Sequence, residues 1–110
     1  MAVDWEAWLR NVHHAVQAGR IEWKQHALER LLTRGIRMES VEQAILEGEI
    51  VEFYPDAYPV PAGLLLHIVG EDPLHVVVAF DEQNNGICHV ITAYRPSPDK
   101  FEMDWKTRKS

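Results

Sequence analysis

The sequence predicts an α+β domain: two to three N-terminal helices packed on a four-stranded antiparallel sheet, with residues 21–24 as an extra edge strand. Three observations carry this. Apolar residues recur at helical spacing up to residue 47, and from residue 49 onward they fall into short runs rich in strand formers. The links between those runs are too short for parallel crossovers, so consecutive strands must pair antiparallel. Finally, 110 residues, 46% of them apolar and 25% charged, suit one compact domain spanning 1–110.

The elements follow in chain order. Asp4 is a helix N-cap, Trp5, Trp8, Leu9, Val12 and Val16 form the stripe behind it, and Gly19 stops the first helix, residues 4–18. Ile21-Glu22-Trp23-Lys24 alternates as a short edge strand would. A second helix carries Leu28, Leu31, Leu32 and Ile36 as its apolar side and ends near Arg34-Gly35. Ser40-Val41-Glu42-Gln43 has capping-box spacing, which starts a third helix with Val41, Ala44 and Ile45 buried and Gly48 just past its end. Residues 49–54 are a strand, and Pro55, Pro59, Pro61 and Gly63 make an irregular loop. Strands 64–69, 74–80 and 87–94 follow, separated by Gly70 to Pro73 and by a hairpin signal at Asn84-Asn85-Gly86. The strand from Leu74 to Phe80 is apolar on both faces and needs cover on both. Helices cover one face; helix one, the 101–105 segment of the 97–110 tail or a second copy of the chain covers the other, and a homodimer is expected.

The formal net charge of −6 opposes nucleic-acid binding over the whole surface, yet the charge is unevenly spread. Residues 20–37 hold Arg20, Lys24, Arg30, Arg34 and Arg37 against Glu22 and Glu29, whereas residues 38–58 hold six acids and no base. Such polarity is either an anion-binding face or two helices attracting each other. The single cysteine excludes an intramolecular disulfide. The start of the chain carries acids where a signal peptide needs bases, and no run is long enough to span a membrane, so a cytoplasmic location is expected.

On the second helix His26, Arg30, Thr33 and Arg37 share the polar side with Arg34 on its flank. These groups can hold a phosphate or carboxylate bidentately while the imidazole moves a proton, or they can form ion pairs with Glu39 and Glu42. His13 lies at the edge of the first helix's apolar stripe and His14 points away, which makes a poor chelating pair. His75 is expected to share a sheet face with Cys88, Thr92 and Tyr94, next to Arg95. No metal, nucleotide-loop or nucleophile-elbow motif occurs, no cofactor is expected, and Cys88 reads as an inert core thiol.

His26 to Ile36, Glu39-Ser40-Val41, Gly48 to Pro55, Pro73 to Val77 and Ile91 to Pro96 together resemble the domain-of-unknown-function family 4258, from about Ile21 to Pro96. The first helix (1–19) and the tail (97–110) lie outside the resemblance. Within it, Arg95 stands where members often carry an acid, and His67 where an apolar strand residue is expected. The organisation is also similar, more distantly, to RelE-type toxins, small metal-independent ribonucleases paired with antitoxins. That resemblance implies an RNA-binding or ribonuclease-like protein whose partners are RNA or an antitoxin-like protein. His26 or His75 would act as acid or base, Arg30 would stabilise the phosphate and Tyr94 would position it. Arg34, Arg37, Thr92 and Arg95 would bind substrate. The alternative is a non-catalytic protein-interaction module in which the His, Arg and Tyr groups form an internal network and exposed Trp5, Trp8, Phe101 or Trp105 bind a partner. Exposure of His26 and Arg30 favours RNA; full pairing favours the module.

Overall fold

The structure, a computed structural model, describes residues 4–83 and 85–110. Within them the α+β architecture holds: the four-stranded antiparallel sheet is present, and the extra edge strand expected at 21–24 joins it as a fifth strand, parallel to its neighbour, which makes the sheet mixed. Helix α1 is Trp5–Gln17, β1 Ile21–Trp23, α2 Gln25–Arg34 and α3 Met38–Glu47. Strands β2 to β5 are Glu49–Tyr54, Ala62–Val69, Asp72–Asp81 and Ile87–Tyr94. The spatial order β1-β5-β4-β3-β2 keeps the expected antiparallel meander and adds β1 parallel to the first half of β5, with Ile21 opposite Cys88 and Trp23 opposite Val90. Ala62 and Gly63, expected in a loop, belong to β3. No helix is long and apolar enough to cross a membrane among the described residues.

α1 and α3 lie on one face of the sheet, where Trp8, Val12, Ala15, Val41, Ala44 and Ile45 pack against Leu65, Val76, Val78, Phe80, Cys88 and Val90. Asp4 caps α1 as expected by accepting from the Glu6 amide at 3.0 Å. The indole of Trp8 rests on Gly63, where a Cβ would come within 2.7 Å of the ring; a side chain there would displace the largest residue of the core. Trp8 and Phe101 are therefore buried and cannot serve as exposed anchors for a partner, while Trp5 remains exposed.

Two expectations about helix boundaries and faces are corrected. α3 begins at Met38 with Arg37 as its N-cap, so Ser40 sits inside the first turn and does not cap it. α2 turns Ala27 and Leu31 inward and leaves Leu32 86% exposed, because it packs beside β5 and not flat on the sheet. Its end is fixed by Gly35 in the left-handed region (φ 66°), with the Ile36 amide reaching back to the Leu31 carbonyl at 2.9 Å.

One extra residue in β5 re-aims the sheet. Val78 pairs with Val90 but Val77 pairs with Thr92, so Ile91 is bulged out and the alternation of β5 reverses across it. Cys88 consequently faces the helices with Phe80, while His75, Thr92 and Tyr94 face the opposite side, so the shared face expected for His75 and Cys88 does not form. That opposite side is covered by the chain's own tail. Phe101 packs edge-on against His75, Lys106 reaches Glu49, and Arg108 grips Glu52 through two bonds of 2.9 and 3.0 Å. The tail folds back on itself through a bridge between Phe101 and Arg108, and Asp104 locks its turn by accepting from Lys106, Thr107 and the Thr107 hydroxyl, which pulls its carboxyl down to about 2. Asn84 of the expected hairpin signal lies outside the described residues; Asn85 and Gly86 take the positive φ values that signal implies.

Candidate functional site

The residues singled out in the sequence fall into three groups. The first is the tail-covered face. His75 has no exposed surface, and its Nε2–H donates to the Trp105 carbonyl at 2.7 Å. That bond fixes the tautomer, since a carbonyl can only accept, and leaves Nδ1 to accept from the Tyr94 hydroxyl at 3.4 Å. Burial holds the His75 ring below its ordinary range, opposed by the Trp105 bond and assisted by the Arg108 charge. Burial likewise raises Tyr94, and it pushes the Tyr54 hydroxyl up to about 12 together with the bond Tyr54 donates to Glu52. Arg108 holds the Glu52 carboxyl below the usual carboxylate range. Every polar group in this cluster is spent on a neighbour, and His75 cannot meet a substrate without removal of the tail.

The second group is the seam between α2 and β5. β1 covers β5 only as far as Val90, so the outer edge beyond it needs another donor. Arg34 supplies it: Nη1 donates to the Ala93 carbonyl at 2.7 Å and lies 3.4 Å from the Thr92 hydroxyl. Arg95 reciprocates by donating to the Arg34 carbonyl at 3.0 Å. Thr92, Arg34 and Arg95 are thus brought together as a structural lock that joins helix to strand. His26 and Arg30, expected to share a site with His75 and Tyr94, lie on the exposed surface of α2 and form no hydrogen bond or ion pair with the described residues.

The third group is a small cavity of about 240 Å³ at the corner between α2 and α3, and it gathers polar groups from separate elements. Arg37 comes from the turn between the helices, Ser40 and Gln43 from the first turns of α3, His67 from β3 and Arg95 from the end of β5. The local sequence explains the arrangement. Gly35 ends α2 with a left-handed turn, so the chain reverses at once and α3 starts beside it. Arg37 has no acceptor to offer as an N-cap, and the first amides of α3 keep no side-chain partner. These donors and the positive end of the helix macrodipole lie next to the guanidinium of Arg37. Two acids compete: Glu39 lies 3.5 Å from Arg37 with both side chains largely exposed, and Asp72 lies 3.4 Å from Arg95. Exposed pairs of this kind bind weakly, so Arg37 can turn to a stronger anion, while Arg95 stays anchored to the Arg34 carbonyl through Nη1 and offers its remaining donors from that fixed position.

Ser40, Gln43, His67 and Asp72 are the polar members of this cavity that sequence reasoning did not assign to a site, and Asp72 brings a carboxylate into its lining. His67 carried the one visible signal, as a histidine in an apolar strand. Cys88 is inert, its thiol pushed up to about 12 by burial. No group of three or more His, Cys, Asp or Glu side chains among the described residues is placed to hold a metal ion.

The comparisons with known proteins come to one finding. Neither the curated proteins nor the solved structures hold a match to the chain, and the more distant likeness to RelE-type toxins gains no support from them. The family resemblance of the central segment does: the model described as Domain of unknown function (DUF4258) matches residues 23–95, well over half of the chain and the span that holds the corner cavity, α2, α3 and strands β2 to β5, and the protein therefore belongs to that family.

Proposed function

We propose that the domain binds a phosphate-bearing ligand, single-stranded RNA in the first instance, at the corner between α2 and α3, and that it does not cut what it binds. The observation that carries this reading is the corner cavity, in which Arg37, Arg95 and His67 converge from three elements on the uncapped start of α3. Anions gain there from backbone donors, from the helix macrodipole and from guanidinium forks together. His26 and Arg30, exposed and unpaired among the described residues, extend the basic surface along α2 for further phosphates. His75 can take no part in cleavage, since a general acid or base must reach its proton and this ring is sealed with both nitrogens engaged; His26, exposed on α2, is read as a phosphate contact, and the state of the RNA decides whether it is more.

Fluorescence anisotropy with a labelled oligoribonucleotide in excess chelator tests both parts. With about three phosphates neutralised, by Arg30, Arg37 and Arg95, log K should fall with log salt at a slope of about −2, given roughly −0.7 per phosphate on a single strand. Arg37→Ala should weaken binding about tenfold, a change of about 1.4 kcal/mol, and flatten the slope by about 0.7. The RNA should stay intact on a gel. No binding at low salt, or a slope unchanged in Arg37→Ala, refutes the reading, and cleavage refutes its non-catalytic half.

One feature favours a protein partner as the second reading. A groove of about 540 Å³ runs between the tail and the β3–β4 turn, lined by Ile68, Phe101, Met103 and Trp105, with Met103 95% exposed. Binding there would be insensitive to Arg37→Ala, which separates the two readings.

A further inference from the structure

The family match ends at residue 95, and the chain beyond it is built as a separate unit. Residues 97–110 close on themselves: the Lys100 and Phe101 amides donate to the Ser97 carbonyl, Glu102 donates to Thr107 at 2.8 Å and Lys109 to Lys100 at 2.9 Å, around the turn that Asp104 locks. Among the described residues no backbone-to-backbone hydrogen bond joins this hook to the sheet that it covers. Every fastening involves a side chain. Phe101 is buried edge-on against His75, His75 takes the Trp105 carbonyl, and Lys106 and Arg108 meet the carboxylates of Glu49 and Glu52. The hook thus offers a ring, a carbonyl and two cations, and the sheet answers with an imidazole and two carboxylates. The link between them is Arg95-Pro96-Ser97-Pro98, with Arg95 tied to the body through the Arg34 carbonyl and Asp72. Proline has no N–H to lose, and it holds the residue before it extended, here Arg95 and Ser97. Rotation about this link swings the hook out as one piece without breaking a bond inside it.

We infer that the hook exchanges between two copies of this chain, each tail docking on the sheet face of the other, so that the pocket around His75 is completed by the partner's Trp105 and the partner's Arg108. The sequence left the tail and a second copy as alternative covers for this face; in the exchanged dimer they are one device. Every contact made within a copy is made again between copies, in a closed two-fold arrangement that leaves neither face open. The balance is therefore set by chain concentration against the local concentration of a copy's own hook, which is about millimolar for a short link. Specificity comes from the charge match, because the cations that the hook turns to the sheet, Lys106 and Arg108, meet carboxylates on β2 and would be repelled by a basic face.

Complementary charge reversal in the full chain is the test. Glu52→Arg and Arg108→Glu each set like charges against one another within a copy, which should weaken closure of its own hook about tenfold. In an equal mixture the unaltered hook of the first variant fits the unaltered face of the second, and the reversed hook fits the reversed face. The mixture should then dimerise in sedimentation at about 10 µM, about a hundredfold below the parent's millimolar range, while either variant alone stays monomeric. The chain that carries both reversals restores the pair within one copy and should stay monomeric at that concentration, like the parent. A second measurement needs no substitution: in a mixture of isotope-labelled and unlabelled parent at about 1 mM, the Phe101 ring of one copy should show cross-copy NOEs to the His75 ring of the other. A mixture of folded variants that stays monomeric, a double variant that dimerises as well as the mixture, or the absence of cross-copy NOEs in the parent overturns the inference.

Discussion

His75→Ala separates a structural histidine from a catalytic one, and the structure fixes the size of the effect. The side chain has no exposed surface, donates to the Trp105 carbonyl at 2.7 Å and meets the rings of Phe101 and Tyr94 edge-on at 4.7 and 5.3 Å. Its removal strands a carbonyl, which costs about 1–3 kcal/mol, and ends two ring contacts worth about 0.5–1.5 kcal/mol each. The tail is held elsewhere by Arg108 and Lys106 and can partly collapse into the void, so the sum lies near 3–4 kcal/mol. Against a total stability of about 5–15 kcal/mol this is a large fraction, and the midpoint temperature should fall by about 12 °C or more. Urea unfolding followed by tryptophan fluorescence reads the loss directly. RNA affinity of the variant, measured at low temperature where it stays folded, should remain within about twofold of the parent. A loss below about 1 kcal/mol, or an RNA-directed activity that disappears while stability is kept, would refute the reasoning and return His75 to a catalytic role.

Two further outcomes follow from the same packing. In the folded chain the His75 ring titrates below its ordinary 6.5, so between the two values the unfolded chain binds more protons; stability should fall as pH drops through about 6.5 and level off below the folded value, and His75→Phe should remove this dependence in denaturant melts at pH 5 and pH 7.5. Gly63→Ala should cost about 1–3 kcal/mol, because the new Cβ would sit 2.7 and 2.9 Å from two atoms of the buried Trp8 ring, and a thermal shift below 2 °C would show that the ring can move aside.

The fold was largely legible because its signals are local. The Asp4 cap, the Gly35 stop and the strand-forming runs after residue 49 each depend on a few neighbouring residues, and each lies where periodicity and capping place it. What escaped depends on pairing between distant segments. The bulge at Ile91 leaves no mark in the sequence of β5, yet it decides that Cys88 and His75 face opposite sides. The inward turn of α2 was misjudged for the same reason. Leu32 reads as core on a helix lying flat on a sheet, but α2 flanks the open edge of β5, where Arg34 serves better than leucine by pairing a strand carbonyl. The alternating Phe101, Met103 and Trp105 made the tail one of three possible covers, beside helix one and a second copy of the chain, while the partners that fasten it, Glu52 and Arg108, are separated by most of the sheet and could not be paired from sequence. In the corner cavity Arg37 and Arg95 were legible as basic residues of the family segment, and only the turn at Gly35 brings them to the start of α3.

The central claim, that an anion is held at the α2–α3 corner by Arg37, Arg95 and the uncapped first turn of α3, is tested most directly by a ¹H–¹⁵N titration with a short oligoribonucleotide. The account predicts shifts in the amides of Met38 and Glu39, the first-turn donors that Arg37's carbonyl does not engage, and in the Nε–H groups of Arg37 and Arg95, with the His75 ring unchanged. Shifts confined to His75, Tyr94 and the tail, or no shifts at low salt, would contradict it.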